Sequence, residues 1–170
     1  ESLTWANPFT PLVPGADAGQ LALAPDNEFH QVMATIAYEF MPKLMASGEI
    51  AVGRMIQDEA FLPATINPDL EPTVPALPAT SLDGQVDTFN GSLRVTATPT
   101  DQLRLNASYA RDKRDNQTDS LLYPAVSTDI FLGTVPRTNQ PFSFTQDRFK
   151  LNAEYRGPGS LRASAGAEQD

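Results

Sequence analysis

The chain has 170 residues, of which 21 are acidic, 12 basic, one is histidine and none is cysteine, for a formal net charge of −9. Without cysteine this stretch holds no disulfide, thiolate metal site, cysteine nucleophile or covalently attached haem, and its acidity argues against nucleic acid as a partner. No run approaches the ~18 apolar residues of a spanning helix; a soluble acidic domain and a membrane β-barrel both fit such totals, because barrels cross with alternating strands of modest hydropathy.

Helix signals are poor, since 15 prolines and 10 glycines are scattered through the chain. The clear repeat is two residues, not 3.6. It first appears over 29–40, where Val32, Ala34, Ile36, Tyr38 and Phe40 share one face and Gln31, Met33, Thr35 and Glu39 the other. Met41-Pro42-Lys43 interrupts it, because proline cannot continue a ladder. A second run over 44–55 then places Leu44, Ala46, Gly48, Ile50 and Val52 opposite Ser47 and Glu49. The two runs read as a hairpin with a short turn.

The pattern recurs twice. Phe89, Gly91, Leu93, Val95 and Ala97 alternate with Asn90, Ser92, Arg94 and Thr96 over 88–98. After a turn at 99–102, Leu103, Leu105, Ala107 and Tyr109 alternate with Arg104, Asn106 and Ser108 over 103–111. Over 148–156, Phe149, Leu151, Ala153 and Tyr155 alternate with Lys150, Asn152 and Glu154. Across Gly157-Pro158-Gly159, Leu161, Ala163, Ala165 and Ala167 alternate with Arg162, Ser164 and Glu168 over 161–169. Long segments rich in proline and polar residues, 6–28, 56–87 and 112–147, join the hairpins. Connections of that length are uncommon in compact soluble domains. The fold class expected is all-β: an antiparallel meander of long hairpins, with short turns at one end and long loops at the other, as in a transmembrane β-barrel. A soluble β-sandwich also alternates, but its strands and loops are usually shorter.

Charge placement separates the two faces. Glu39, Glu49, Arg94, Arg104, Lys150, Glu154, Arg162 and Glu168 all fall opposite the apolar positions, which makes them candidates to face a lumen. The apolar face is rich in alanine and glycine but uncharged, as contact with lipid requires; a solvated sheet face would show the same polar set. Tyr38, Phe40 and Tyr155 lie beside the short turns, and Phe89, Tyr109 and Phe149 beside the long loops, where interfacial aromatic girdles would sit. Most of the acidity belongs to the three long segments, which hold 14 of the 21 acids and three of the 12 bases.

No catalytic or cofactor constellation stands out. His30 is the sole histidine and has no motif around it. The polar run 112–119 lacks the spacing and glycine of a calcium loop. Gly157 and Gly159 form a turn with no helix after it to hold phosphate. The Asn90, Asn106 and Asn116 sequons are short enough to arise by chance. No residue is assigned to catalysis, to a cofactor or to a metal.

Several stretches carry a family resemblance: Leu3-Thr4-Trp5-Ala6-Asn7-Pro8-Phe9, Gly15-Ala16-Asp17 running to Asn27, Gly53-Arg54-Met55 running on to Pro63, Thr65-Ile66-Asn67-Pro68, Ser81-Leu82-Asp83-Gly84, Leu103 to Ala107, Arg114-Asp115-Asn116 and Arg137-Thr138-Asn139. In this order they resemble the MtrB/PioB family of decahaem-associated outer-membrane proteins. The resemblance implies a large barrel in the outer membrane of a Gram-negative bacterium, sheathing a periplasmic multihaem cytochrome inserted in its lumen. It implies haem carried by that partner and none by this chain, electron transfer across the membrane, and an extracellular multihaem cytochrome as a possible partner at the long loops. Outer-membrane lipid is the other expected contact. Because barrel diameter grows with strand number, six full strands and one partial strand, of which Leu3 and Trp5 look like the end, cannot enclose a cytochrome, and residues 1–170 are expected to be an internal fragment of one larger barrel. A solute-transporting porin or receptor barrel, and a soluble β binding domain, remain open alternatives.

Overall fold

The computed structural model describes residues 2–8, 12–125, 127–128 and 131–170, with the backbone alone for 127, 128, 131 and 132. Phe9 of the first quoted stretch, and residues 10, 11, 126, 129 and 130 of two expected loops, lie outside that set. The chain divides into two units, one made of the strand segments and one of the connections.

The first unit is built on one sheet of six long antiparallel strands: β3 (Glu28–Met41), β4 (Leu44–Gln57), β5 (Gly84–Thr100), β6 (Leu103–Asn116), β11 (Phe144–Arg156) and β12 (Arg162–Gln169). Their order across the sheet is that of the chain, so neighbours are hairpin partners or successive hairpins, and β3 and β12 form its edges. All six expected strands are present. Five of them run further than the apolar alternation indicates, mostly toward the long connections: to Gln57 on β4, from Gly84 on β5, to Asn116 on β6 and from Phe144 on β11. The reason is that backbone pairing continues where side chains turn polar. Asp112, Lys113 and Arg114 break the hydrophobic pattern yet pair with Gln146, Thr145 and Phe144.

The short turns are chemically legible. Pro42 opens the β3–β4 turn and Lys43 closes it at φ 80, a left-handed conformation that a type II turn demands at its third position. Pro99, near the end of β5, has no N–H to donate; the ladder shifts register between Ala97 and Thr100, a bulge that absorbs it. Between β11 and β12, Gly157 N–H donates to the Leu161 carbonyl at 3.0 Å and Gly159 takes φ 72.

The sheet is a single layer without a core of its own. Among the described residues the buried apolar side chains are Ala16 and Ala51, and no large side chain is fully buried. Val32 and Ile36 are 72% and 70% exposed. A sandwich sheet would bury such residues against a second layer; here they await a covering.

The second unit holds the connections. It contains the hairpin of β1 (Ser2–Ala6) and β2 (Ala18–Ala22), a 3-10 turn at Glu71–Thr73, and four two-residue strands. These pair as β7 (Leu122–Tyr123) with β10 (Arg137–Thr138) and β8 (Ser127–Thr128) with β9 (Phe131–Leu132). Asparagines tie the irregular backbone. Asn67 Nδ2 donates to the Pro14 carbonyl at 3.0 Å, and its Oδ1 accepts from Asp69 N–H at 2.9 Å. Asn139 Nδ2 donates to the Asp119 carbonyl at 2.9 Å while its Oδ1 accepts from Leu121 N–H. Asn7 Nδ2 donates to the Ala16 carbonyl at 3.0 Å. Each satisfies backbone groups that no ladder reaches.

Candidate functional site

Chemistry in this protein resides on the two faces of the six-stranded sheet. Cross-strand register fixes which residues share a face. Leu93 lies opposite Tyr109, and Tyr109 opposite Phe149. Val95, Ala107, Leu151 and Ala167 form the next row, and Ala97, Leu105, Ala153 and Ala165 the one after. The position of Gly48 faces Ile36 Cγ2 and Leu93 Cδ1, which brings the even-numbered residues of β3 and β4 onto this same apolar face. No charged residue interrupts it between Leu44 and Val52, Phe89 and Ala97, Leu103 and Tyr109, or Phe149 and Tyr155.

The apolar band ends sharply, at charges that sequence reasoning missed. Beyond it on the same face come Arg54 of β4, Asp87 of β5, Arg111 of β6 and Asp147 of β11. Arg54 Nε donates to Asp87 Oδ1 at 2.7 Å and Nη2 to Oδ2 at 3.1 Å. Arg111 Nε stands 3.8 Å from Asp147 Oδ1, which also accepts a hydrogen bond from the Tyr109 hydroxyl. Continuing the two-residue count past the last apolar position on each strand would have found these four. The aromatic reading stops at Tyr109 and Phe149, whose neighbours toward the loops are this collar.

The collar is slanted. Arg54 is level with Asp87, and Asp87 pairs with Asp115; on β6, however, the first charge is Arg111, four residues nearer the short turns, and Asp147 pairs with it. Four residues over three strand spacings is ~14 Å along against ~14 Å across, so the boundary cuts the strands at about 45°. A flat membrane surface cuts tilted barrel strands at about that angle. From Lys43 in the short turn to Arg54 on β4 the chain runs about 37 Å, or ~26 Å projected along the membrane normal at that tilt, close to the ~25 Å apolar band of outer-membrane barrels.

The opposite face is polar and bears all eight candidates named from the sequence. The structure brings some together. Lys150 Nζ lies 2.8 Å from Glu168 Oε1, and register places Arg104 opposite Glu154. Glu49, Arg94, Lys150 and the unforeseen Arg148 line one groove with Ser92 and Ser108. Arg148 also reaches Asp170 at 2.6 Å and Glu168 at 3.5 Å. Glu39 lies apart from these residues on the first hairpin, and Arg162 is opposite Arg156. Thr96 Oγ1 donates to Asn106 Oδ1 at 3.0 Å in the same wall. No group of three or more metal-ligating side chains occurs among the described residues.

At the short-turn end the hairpins are stitched together. Lys43 Nζ meets Asp101 Oδ1 at 2.7 Å, and Thr98 N–H donates to the Lys43 carbonyl at 2.7 Å. The lysine ammonium, by hydrogen bond and then by charge, holds the Asp101 carboxyl below the usual carboxylate range.

Comparison with known proteins matches this geometry. The sequence profile of the family described as outer membrane beta-barrel porin, MtrB/PioB, matches residues 1–170. "Outer membrane protein MtrB" of Shewanella baltica (strain OS185) is 30% identical over 164 residues, which is 96% of this chain and 22% of that relative; the chain thus spans about a fifth of its length. The soluble-module alternative falls with these matches. This chain, with an uncharged band on one face of its sheet, a slanted collar bounding it and charges on the other face, and matched over its whole length by that profile, belongs to the MtrB/PioB family of outer-membrane β-barrels.

Proposed function

We propose that these residues form six adjacent strands of a larger outer-membrane barrel that sheathes and positions a multihaem c-type cytochrome for electron transfer across the membrane. The observation that carries this reading is the division of the sheet: a band with no charge for lipid on one face, and a charged, grooved wall on the other. In this reading Glu39, Glu49, Arg94, Arg104, Lys150, Glu154, Arg162 and Glu168 face the lumen. The family resemblance supplies the identity of the occupant. In this reading the haem is carried by that partner. The barrel performs no reaction; it keeps lipid away from the redox chain and fixes its position. An extracellular multihaem cytochrome docking at the connections belongs to the same reading.

Solute transport is the second reading, favoured by the word porin in the family's description. Purification of the full-length barrel from outer membranes in mild detergent, followed by reconstitution around a trapped redox dye, separates the two. A haem-staining partner that co-purifies, and dye reduction that requires it, are expected. Solute flux through a haem-free barrel, with no dye reduction, would overturn the proposal.

A further inference from the structure

The chain contains four methionines, and all four lie on the charged face of a single hairpin. Met33 and Met41 are on β3, and Met45 and Met55 on β4. Gly48, with Ile36, marks the even-numbered residues as the apolar face, and strand alternation turns the odd-numbered ones the other way. Phe29 joins them, its ring lying over the position of Gly53 on the same side. These side chains are open: Met33 is 61% exposed, Met41 57% and Met45 47%. The remaining four strands show a different wall. From Asn90 to Thr96, Arg104 to Arg114, Gln146 to Arg156 and Arg162 to Glu168, the same face carries polar, charged or small side chains; its large apolar residues on these strands are Val86 and Phe144, both at the loop ends.

A water-filled lumen gives no reason to gather exposed methionines on one wall. Methionine is flexible and polarisable, and is used where a surface must adapt to the shape of a partner; exposed apolar patches rimmed by polar groups mark interaction sites. The strand charges of this hairpin's face are Glu39 and Glu49, both acidic; Glu49 stands at its border, in the groove it shares with Arg94 and Arg148, and Lys43 at the turn is engaged by Asp101.

We infer that the inner face of the β3–β4 hairpin is a docking strip for the folded haem protein in the lumen. The strip contacts an apolar patch on that protein flanked by lysine or arginine residues opposite Glu39 and Glu49. This rests on the sheathing function proposed above. The other strands contribute a wetter, charged wall, so the occupant is held against one side of the barrel rather than centred in it.

The methionines are their own probe. Full-length barrel in outer-membrane vesicles, with its haem protein bound, is pulsed with hydrogen peroxide, and sulfoxide formation at each methionine is read by mass spectrometry. The same is done with vesicles from cells lacking the haem protein. Oxidation of Met33, Met45 and Met55 is expected to be roughly tenfold slower in the complex, as for a side chain withdrawn from solvent. Equal oxidation in both samples means an undocked aqueous face, and resistance in both means a lipid face or a plug from the barrel itself; either result overturns the inference.

Should the barrel fail to accumulate without its partner, a double variant Met33→Gln/Met45→Gln provides a second test. It is expected to retain about tenfold less haem protein through a salt wash, equivalent to about 1.4 kcal/mol, whereas Met33→Leu/Met45→Leu retains it. Retention by the glutamine variant equal to wild type also overturns the inference. If no haem protein co-purifies at all, the sheathing function itself fails. Co-purification with unprotected methionines removes only the docking strip.

Discussion

Single residues in this protein do their work where regular backbone pairing stops. Asn67 is the clearest case: buried, with its amide bridging Pro14 and Asp69, it leaves no room for a larger neighbour. Gly15 takes φ 73, and a Cβ there would stand 2.1 Å from Asn67 Oδ1. Gly15→Ala is therefore expected to destabilise the connecting segments by ~1–3 kcal/mol through steric conflict and left-handed strain. The check is limited proteolysis: cleavage within 12–28 or 56–85 should accelerate while the far-ultraviolet strand signal is kept. Lys43 and Asp101 make a pH-dependent contact of the opposite kind. The folded-state pKa of Asp101 is depressed, so the link favours the folded arrangement above the ordinary carboxylate range and is lost as pH falls through the depressed value. Both groups are well exposed, and the contribution is small. Carboxyl NMR titration should show the Asp101 pKa rising toward its ordinary value in Lys43→Ala; an unchanged value would show that the ion pair does not form.

On the scale of strands, alternation made the three long hairpins and their faces readable directly from residues such as Leu103, Leu105, Ala107 and Tyr109. It did not give their ends. A two-residue hydrophobic repeat reports side-chain burial, whereas a strand is defined by backbone bonds, and β6 continues past Tyr109 through Arg111, Lys113 and Asp115. For the same reason the alternation gives no sign of the collar charges, which begin where the apolar band ends. The small strands within the connections had no legible signal, since two-residue ladders such as Leu122–Tyr123 with Arg137–Thr138 depend on Asn139 and its distant partners. The face assignment has a direct energetic consequence. Leu151 is near the middle of the apolar band of β11, and Asn152 is its neighbour on the other face. Leu151→Arg is expected to cost ~2–4 kcal/mol of barrel stability in lipid, and Asn152→Lys under about 1 kcal/mol. Urea titration of the full-length barrel refolded in vesicles measures both; equal costs would contradict the assignment.

At the level of the whole molecule, the composition takes on a different meaning from the one it first suggests. The net charge of −9 is not uniform: acids are concentrated toward the connections and the strand ends that feed them. The single-layer sheet, with large apolar side chains open on one face and charges on the other, is incomplete as a globular unit and coherent as a barrel wall. The charged face itself was legible as a set of eight residues, but its organisation was not. Arg148 joining Lys150 and Glu168, and the methionines gathered on one hairpin, follow from cross-strand register, which no local stretch of sequence encodes.

The central claim is that alternate residues of these strands face lipid and a protein-filled lumen. It is tested most directly by placing single spin-labelled cysteines at successive positions 103–112 of the full-length barrel in vesicles, on a background with any other cysteine removed. Collision with oxygen, which partitions into lipid, and with a water-soluble nickel chelate is then measured with and without the haem protein. High oxygen accessibility is expected at 103, 105, 107 and 109, giving way to the chelate from 111. Chelate accessibility is expected at 104, 106 and 108, and falls when the haem protein is present. Accessibility without a two-residue period, or even-numbered positions that ignore the haem protein, would contradict it.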